Sequence, residues 1–203
     1  GLPGSPLYGI EGFNLNLSCL LSMGTEFLRD NLTRLVKELE NCTQNNLDED
    51  NSLRILWLLA YPYVQDYRIT GMVEELGMKP VADELSSVSW SPLDAGDPYY
   101  SLAGRILENP FLGHVENRVQ NIQELVQKYH VDGVLHFSHW GCRQGCGAVR
   151  ALSDKLDEMQ VPFLELHGDC IDDRQFGEGQ IKTRVASFAE LMKKNRSRRN
   201  SKP

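Results

Sequence analysis

The sequence is short of several features that would each indicate a definite class of protein. Its five cysteines, at positions 19, 42, 142, 146 and 170 of 203 residues, are too few and too unevenly spaced for a disulfide framework. No stretch approaches the ~18 consecutive apolar residues of a membrane span. The first residues carry neither the positive charge nor the apolar run of a secretory signal. These absences favour a cytoplasmic protein, whose cysteines serve as buried residues, metal ligands or reactive thiols.

Positive charge and nucleotide-binding motifs are scarce as well. The formal net charge is −7, with 21 Lys and Arg against 28 Asp and Glu, which argues against nucleic acid or an anionic membrane as a partner. The one basic run closes the chain, and we expect residues 196–203 to form a solvated basic tail. The sequence has no phosphate-binding loop, no G-x-G-x-x-G run after a strand and no Ser–His–Asp signature. If the function of the protein involves ATP, we therefore expect the ATP to be bound by a partner protein.

Short apolar runs alternate with amphipathic segments through most of the chain. Residues 1–21, rich in Gly, Pro and Asn, predict an irregular segment, and 23–41 predict a helix. Strands are predicted at 54–60, 79–84, 133–137 and 162–166, and helices at 67–76, 98–107, 111–129, 146–159 and 180–194. Strands separated by helices require parallel pairing. The sequence therefore predicts an α/β, flavodoxin-like, doubly wound parallel sheet of about four strands with flanking helices, in the order 2-1-3-4.

Three parts of the chain are expected from this organisation. Residues 1–50 are expected to form an N-terminal segment and helix that link to a missing N-terminal half, because the chain has no initiating Met. Residues 51–195 are expected to form the α/β domain, and residues 196–203 the basic tail.

Three cysteines follow the last two predicted strands. Cys142 and Cys146 come after the third strand, and Cys170 comes after the fourth. Neighbouring parallel strands lie ~4.8 Å apart, so both loops should open at one edge of the sheet and bring the three thiols together. Clustered thiolates suit iron–sulfur centres and soft metals. Zinc completed by His139 or His167, buried free thiols, and a thiol redox site are the alternatives.

Three stretches around these cysteines resemble a known family. They are Val131–Phe137 followed by Cys142, then Val161–Asp169, and then Gly179–Leu191. Together they are similar to the 2-hydroxyacyl-CoA dehydratase and benzoyl-CoA reductase family. The likeness covers roughly residues 50–194 and corresponds to the C-terminal half of a family subunit.

The resemblance implies an oxygen-sensitive 4Fe–4S cluster, with Cys142 at the position of a family ligand. It implies an ATP-dependent iron–sulfur activator as electron donor, and part of a lyase that dehydrates an acyl-CoA or other small substrate through a ketyl radical. A homodimer or heterodimer is expected. The three cysteines look more like the double-cubane branch of the family, whose members are ATP-coupled low-potential reductases of small molecules.

The predicted site therefore has Cys142, Cys146 and Cys170 as metal ligands. Three further residues, His139, Arg143 and His167, are expected to donate hydrogen bonds to the cluster or the substrate. No catalytic residue is predicted, and the cluster is expected to be incomplete in this stretch of chain. The alternative function is a non-catalytic zinc-binding or structural α/β module.

Overall fold

The computed structural model describes residues 7–45, 51–63, 66–88, 91–174 and 176–200. Within these ranges the strands are β1 (Leu53–Leu58), β2 (Met78–Asp83), β3 (Gly133–His139) and β4 (Phe163–Gly168). The helices are α1 (Gly9–Leu21), α2 (Glu26–Asn45), α3 (Arg68–Glu75), α4 (Pro98–Glu108), α5 (Val115–Lys128), α6 (Arg143–Gly147), α7 (Val149–Glu158) and α8 (Glu178–Asn200). None of these helices, within the described ranges, is long and apolar enough to cross a membrane.

The four strands form one parallel sheet in the order β2-β1-β3-β4. This confirms the predicted doubly wound sheet and its strand order. The two inner strands are buried almost without interruption, because helices cover both of their faces. The strand order reverses between β1 and β3, and in open sheets of this kind ligands bind beyond the carboxyl ends of the strands near such a reversal.

Two apolar cores lie on opposite faces of the sheet. On one face, residues of α3 and α8 such as Met72, Val185 and Phe188 pack against Leu135 and Phe137 of β3. On the other face, residues of α5 and α7 pack against the sheet; they include Ile122, Leu125, Leu152 and Leu156. The alternation of apolar residues along β1 and β3 assigns each side chain to one core or the other.

The N-terminal segment differs from the prediction. Residues 9–21 form helix α1 and not an irregular stretch. The cause is tertiary packing, since Ile10 and Phe13 lie against the first core and the Phe13 ring centroid is 5.3 Å from that of Tyr61. The Gly and Asn residues lower helix propensity, but burial of one apolar face outweighs that local preference.

The C-terminal basic run also differs from the prediction. Helix α8 continues to Asn200, six residues past the predicted end at 194, so residues 196–200 of the predicted basic tail are helical, with residues 197–199 exposed on that helix. Residues 201–203 of the predicted tail lie outside the described residues. Arg196 donates to the backbone oxygens of Asn51 and Ser52 at 3.1 and 2.9 Å. Arg199 pairs with Asp132. These contacts attach the end of α8 to the amino ends of β1 and β3.

Candidate functional site

The site begins where β3 and β4 end side by side. His139 is the last residue of β3 and pairs in register with Gly168, the last residue of β4. One more backbone hydrogen bond, from Trp140 N–H to the Gly168 oxygen at 3.2 Å, continues the ladder past the strands. The two cysteine-bearing loops therefore leave the sheet at the same level, as the strand order predicts.

Helix α6 carries the first two cysteines. Cys142 caps it, and the Cys142 Sγ accepts the Gly145 N–H at 3.3 Å. Cys146 lies within α6, and its own N–H donates to the Cys142 oxygen at 3.0 Å. The sequence predicted one helix over 146–159 with Cys146 at its start. That prediction is wrong, because the chain breaks at Ala148 into α6 and α7, and Cys142 is the capping residue.

His139 contacts all three cysteines. Its backbone oxygen accepts the Cys142 N–H at 2.9 Å and the Cys146 thiol at 3.4 Å. Its ring Nδ1 accepts the Cys170 N–H at 3.2 Å. The same ring atom lies 4.0 Å from the Asp169 carboxylate. One residue at the end of β3 thus joins both loops.

The Cys170 thiol lies in an environment that disfavours its ionised form. Its pKa is raised to about 11, first by burial and then by the charges of Asp169 and Cys142. Asp169 is itself ionised readily, because it accepts the Asp172 and Ile171 N–H groups, which lower its pKa. Cys170 is therefore a neutral thiol at pH 7 unless a cation stabilises the thiolate.

The other two predicted site residues lie at the periphery. Arg143 is exposed at the first position of α6. The His167 side chain is 54% exposed, and its Nε2 lies 3.3 Å from the Glu165 carboxylate. Of the described residues, no three His, Cys, Asp or Glu side chains stand close enough together to hold a metal ion. The structure brings the cysteine loops together without presenting a finished metal site.

A chain of polar side chains on β3 and β4 was not predicted as part of the site. Ser138 Oγ contacts His136 Nδ1 at 3.0 Å and also donates to the Glu165 carboxylate, which in turn contacts His167. His136 is fully buried, and its pKa is lowered to about 3 by burial and then by the charges of Arg118 and His167. The signal in the sequence is the alternation of polar residues along two otherwise apolar strands.

A buried ion pair at the same edge of the sheet was also missed. Arg118 Nε and Nη2 donate to the two carboxylate oxygens of Glu84 at 2.6 and 2.8 Å, and both side chains are buried. Arg118 Nη1 donates to the backbone oxygen of Gln144 at 3.1 Å. The signal was available, because Arg118 lies one helical turn before Ile122, on the face of α5 that carries Ile122, Leu125 and Val126 into the core.

A cavity of 240 Å³ lies between the end of β4 and the start of α8. Phe137, Leu166, Phe176 and Ile181 give it an apolar lining, and Trp140, Asp172, Gln180 and Arg184 contribute polar groups. Arg184 also donates to the backbone oxygen of Glu165 at 2.6 Å, and this bond fixes the Arg184 side chain beside the sheet edge. A space of this composition suits a small ligand with an apolar body and one polar end.

Comparisons with known proteins place these features in a family. A family model described as the D-component of 2-hydroxyglutaryl-CoA dehydratase matches residues 3–192. The chain is also similar to the alpha subunit of (R)-phenyllactyl-CoA dehydratase from Clostridium sporogenes, with 23% identity over 197 residues. That match covers 93% of this chain and 46% of the relative, so the chain spans about half the length of the curated protein that it matches.

Proposed function

Since the chain belongs to the family of the 2-hydroxyglutaryl-CoA dehydratase D-component, we propose that it is the cluster-holding part of a 2-hydroxyacyl-CoA dehydratase-like protein. In this proposal the whole protein works with a partner subunit. It accepts a low-potential electron from an ATP-dependent activator and uses that electron in the radical dehydration of a small substrate. The substrate is an acyl-CoA or a related small molecule.

The observation that carries the proposal is the contact of His139 with all three cysteines. A cluster needs several thiolates that reach one point in space, and the end of β3 holds the backbone of both cysteine loops in place. The Gly145 N–H on the Cys142 sulfur is the kind of hydrogen bond that stabilises a thiolate ligand. The chemistry of the donor set therefore fits an iron–sulfur cluster, although the set is incomplete.

A 4Fe–4S cluster takes four cysteine ligands, and this edge of the sheet offers at most three. We propose that Cys142, Cys146 and Cys170 hold the cluster and that a residue elsewhere in the full-length protein completes the ligand set. When bound, the cluster supplies a one-electron carrier of low potential. The Cys170 thiol, whose pKa is raised, must lose its proton when it binds iron. Binding of iron by Cys170 is therefore favoured at higher pH.

Two predicted residues receive supporting roles in this proposal. The His139 Nε2–H is free of the Cys170 contact and can donate a hydrogen bond to a sulfide or to substrate. The exposed guanidinium of Arg143, beside Cys142, can face an anionic substrate group or the activator. His167 is held by Glu165, so we assign it to the polar chain that ends in His136 rather than to the cluster.

A double-cubane reductase of small molecules is the second candidate. The observation that favours it is the position of Cys142 and Cys146 four residues apart, at the cap and within α6, because one helical turn brings such residues to the same face. Helix α6 carries Cys142 at its cap and Cys146 within it, and the loop after β4 adds Cys170. These three cysteines are two more than the one that a dehydratase-type site takes from this half of a subunit.

Iron and acid-labile sulfide per chain, measured on full-length protein purified without oxygen, test the proposal. About four irons, lost in Cys142→Ser, Cys146→Ser and Cys170→Ser alike, support the proposed three-cysteine site. About four irons lost mainly in Cys142→Ser would reduce the site to one cysteine from this part of the chain, and about eight, reduced in all three variants, support the double cubane. Cys19→Ser, on α1, is the matched control and should retain all the iron. A colourless protein that contains zinc or no metal would replace both candidates with a structural module.

A further inference from the structure

The Glu84–Arg118 pair joins three loops at the carboxyl edge of the sheet. Glu84 follows β2, and its carboxylate accepts the Leu59 N–H, just past β1, at 3.2 Å. Arg118 lies in the first turn of α5 and reaches the Gln144 oxygen in α6. Gln144 stands between the two cysteines of this helix. The pair is therefore a polar contact through which the ends of β1 and β2 reach the cysteine-bearing helix, in addition to the packing of Leu59 against Gly145.

Stability alone does not account for a charged pair at this place. Removing two charges from water costs several kcal/mol per ion, and apolar residues of similar volume often stabilise a fold equally well. What the pair adds is a fixed orientation of the Arg118 guanidinium. Because the guanidinium is planar and two of its nitrogens are held by Glu84, the remaining Nη1–H points along a fixed line, which ends at Gln144.

Helix α6 is short enough for one such contact to matter. It has five residues, and the space beside Gly145 is closed by Leu59, since a Cβ at residue 145 would lie 2.5 Å from Leu59 Cδ1. The Gly145 N–H is the donor to Cys142 Sγ. A displacement of residues 144 and 145 would thus weaken the contact of the Gly145 N–H with the Cys142 sulfur.

We propose that Glu84 and Arg118 are positioning residues that fix helix α6 and so set the place of the Cys142 and Cys146 thiols. This inference rests on the proposed cluster site. On helix α6 the pair acts through geometry, by the direction in which it holds the Arg118 Nη1–H. Neither residue touches substrate or cluster in this proposal, and both act through the Gln144 oxygen.

The test compares thiol reactivity in cluster-free, full-length protein. The double variant Glu84→Met with Arg118→Met removes the contact to Gln144 without leaving a buried charge unpaired, so it should fold. Arg118→Lys keeps the charge but loses the bidentate geometry. Asp132→Asn is the matched control, because Asp132 accepts the Arg54 N–H at 3.0 Å at the opposite end of β1, as Glu84 accepts that of Leu59.

Alkylation by iodoacetamide is followed for each cysteine by peptide mass spectrometry, and circular dichroism reports the fold. The double variant releases residues 144 and 145 and so weakens the Gly145 N–H contact that stabilises the Cys142 thiolate, which is the species that iodoacetamide alkylates. Alkylation of Cys142 should therefore be slower by roughly three- to tenfold in the double variant, and by less in Arg118→Lys. Cys170 should react at an unchanged rate throughout, and Asp132→Asn should leave Cys142 unchanged. A folded double variant whose Cys142 reacts at or above the wild-type rate, or whose Cys170 slows equally, would overturn the inference. If the double variant does not fold, the Arg118→Lys rates decide in the same way.

A second measurement separates this inference from the proposed function. After anaerobic loading with iron and sulfide, the electron paramagnetic resonance signal of the reduced double variant should differ from that of wild type, because the ligands are displaced. Wild-type protein that takes up no iron would defeat the cluster proposal and leave the alkylation result standing. Unchanged Cys142 reactivity would defeat the positioning role and leave the cluster proposal standing.

Discussion

His136 is a buried base whose protonation opposes folding. Its pKa is about 3 in the folded protein against an ordinary value of 6.5, and burial is the largest cause. In the unfolded chain the ring binds a proton below about pH 6.5, whereas the folded protein resists the proton until about pH 3. The unfolded state thus binds more protons across this range, and the contribution of His136 to stability is complete above pH 6.5 and lost as the pH falls.

We expect acidification from pH 7 to pH 5 to remove roughly 2 kcal/mol from the free energy of unfolding through His136 alone. Urea unfolding at several pH values measures this. The variant His136→Asn can keep the contact with Ser138 Oγ while removing the titrating ring, so its stability should fall less over the same interval. His130→Asn changes an exposed histidine and should keep the wild-type slope. Equal slopes in His136→Asn and wild type would show that the ring is not kept neutral by the fold.

Individual site residues were predictable to the extent that topology alone brings them together. The approach of Cys142 and Cys170 follows from two parallel strands that end at one edge, and the register of His139 with Gly168 shows this edge. The Glu84–Arg118 contact was not predictable in the same way. It joins side chains from a loop and a distant helix, and their meeting depends on how α5 lies across the sheet.

Gly133 opens β3 at the place where α8 packs most closely on the sheet. A Cβ at residue 133 would lie 2.3 Å from Met192 Sδ and 2.7 Å from Phe188 Cζ, so even a methyl group requires α8 to shift. We expect Gly133→Ala to lower the free energy of unfolding by about 1–3 kcal/mol, the usual cost of overpacking a core. Urea unfolding followed by circular dichroism measures the change.

Gly71 provides the matched control on α3. No atom lies within 4 Å of the place that its Cβ would take, and the residue is within a helix. Gly71→Ala should therefore be neutral or raise stability by up to about 1 kcal/mol, because alanine has the higher helix propensity. If both substitutions have the same small effect, the close approach of α8 to β3 does not limit stability.

Elements with a strong internal pattern were predicted well, and elements that depend on a partner were not. The four strands and the helices α3, α5 and α8 have clear periodicity, and their predicted ends differ from the structure by up to six residues. Helix α1 has weak propensity and forms because the sheet covers one of its faces. The break between α6 and α7 at Ala148 has a weak local signal, since Gly145 and Gly147 directly before it lower helix propensity without fixing where a helix ends.

The placement of α1 bears on the size of the folding unit. The sequence predicts that the α/β domain begins at residue 51 and that residues 1–50 are a linking segment. In the structure α1 packs beside β2, where Gly9 is buried next to Pro80 and Phe13 meets the ring of Tyr61. Tyr61 in turn stacks on Trp57 of β1, with ring centroids 4.5 Å apart. An apolar contact thus runs from the N-terminal helix into the centre of the sheet.

If α1 belongs to the folding unit, Phe13→Ala should destabilise the whole molecule. Phe13 is only partly buried, so we expect a loss of roughly 1–3 kcal/mol in the free energy of unfolding, below the cost at a fully buried site. Leu20→Ala is the control on the same helix, because Leu20 is 56% exposed, and it should change stability by less than about 0.5 kcal/mol. Both are measured by urea unfolding in a Trp90→Phe, Trp140→Phe background, in which the fluorescence of Trp57, which stacks on Tyr61, is a local probe. A Phe13→Ala variant as stable as Leu20→Ala would mean that α1 adds nothing to the fold and that the compact unit begins at residue 51. A loss confined to Phe13→Ala, accompanied by a shift in tryptophan emission, would instead extend the unit to residue 9 and make the N-terminal helix part of the same cooperative structure that holds the cysteine loops.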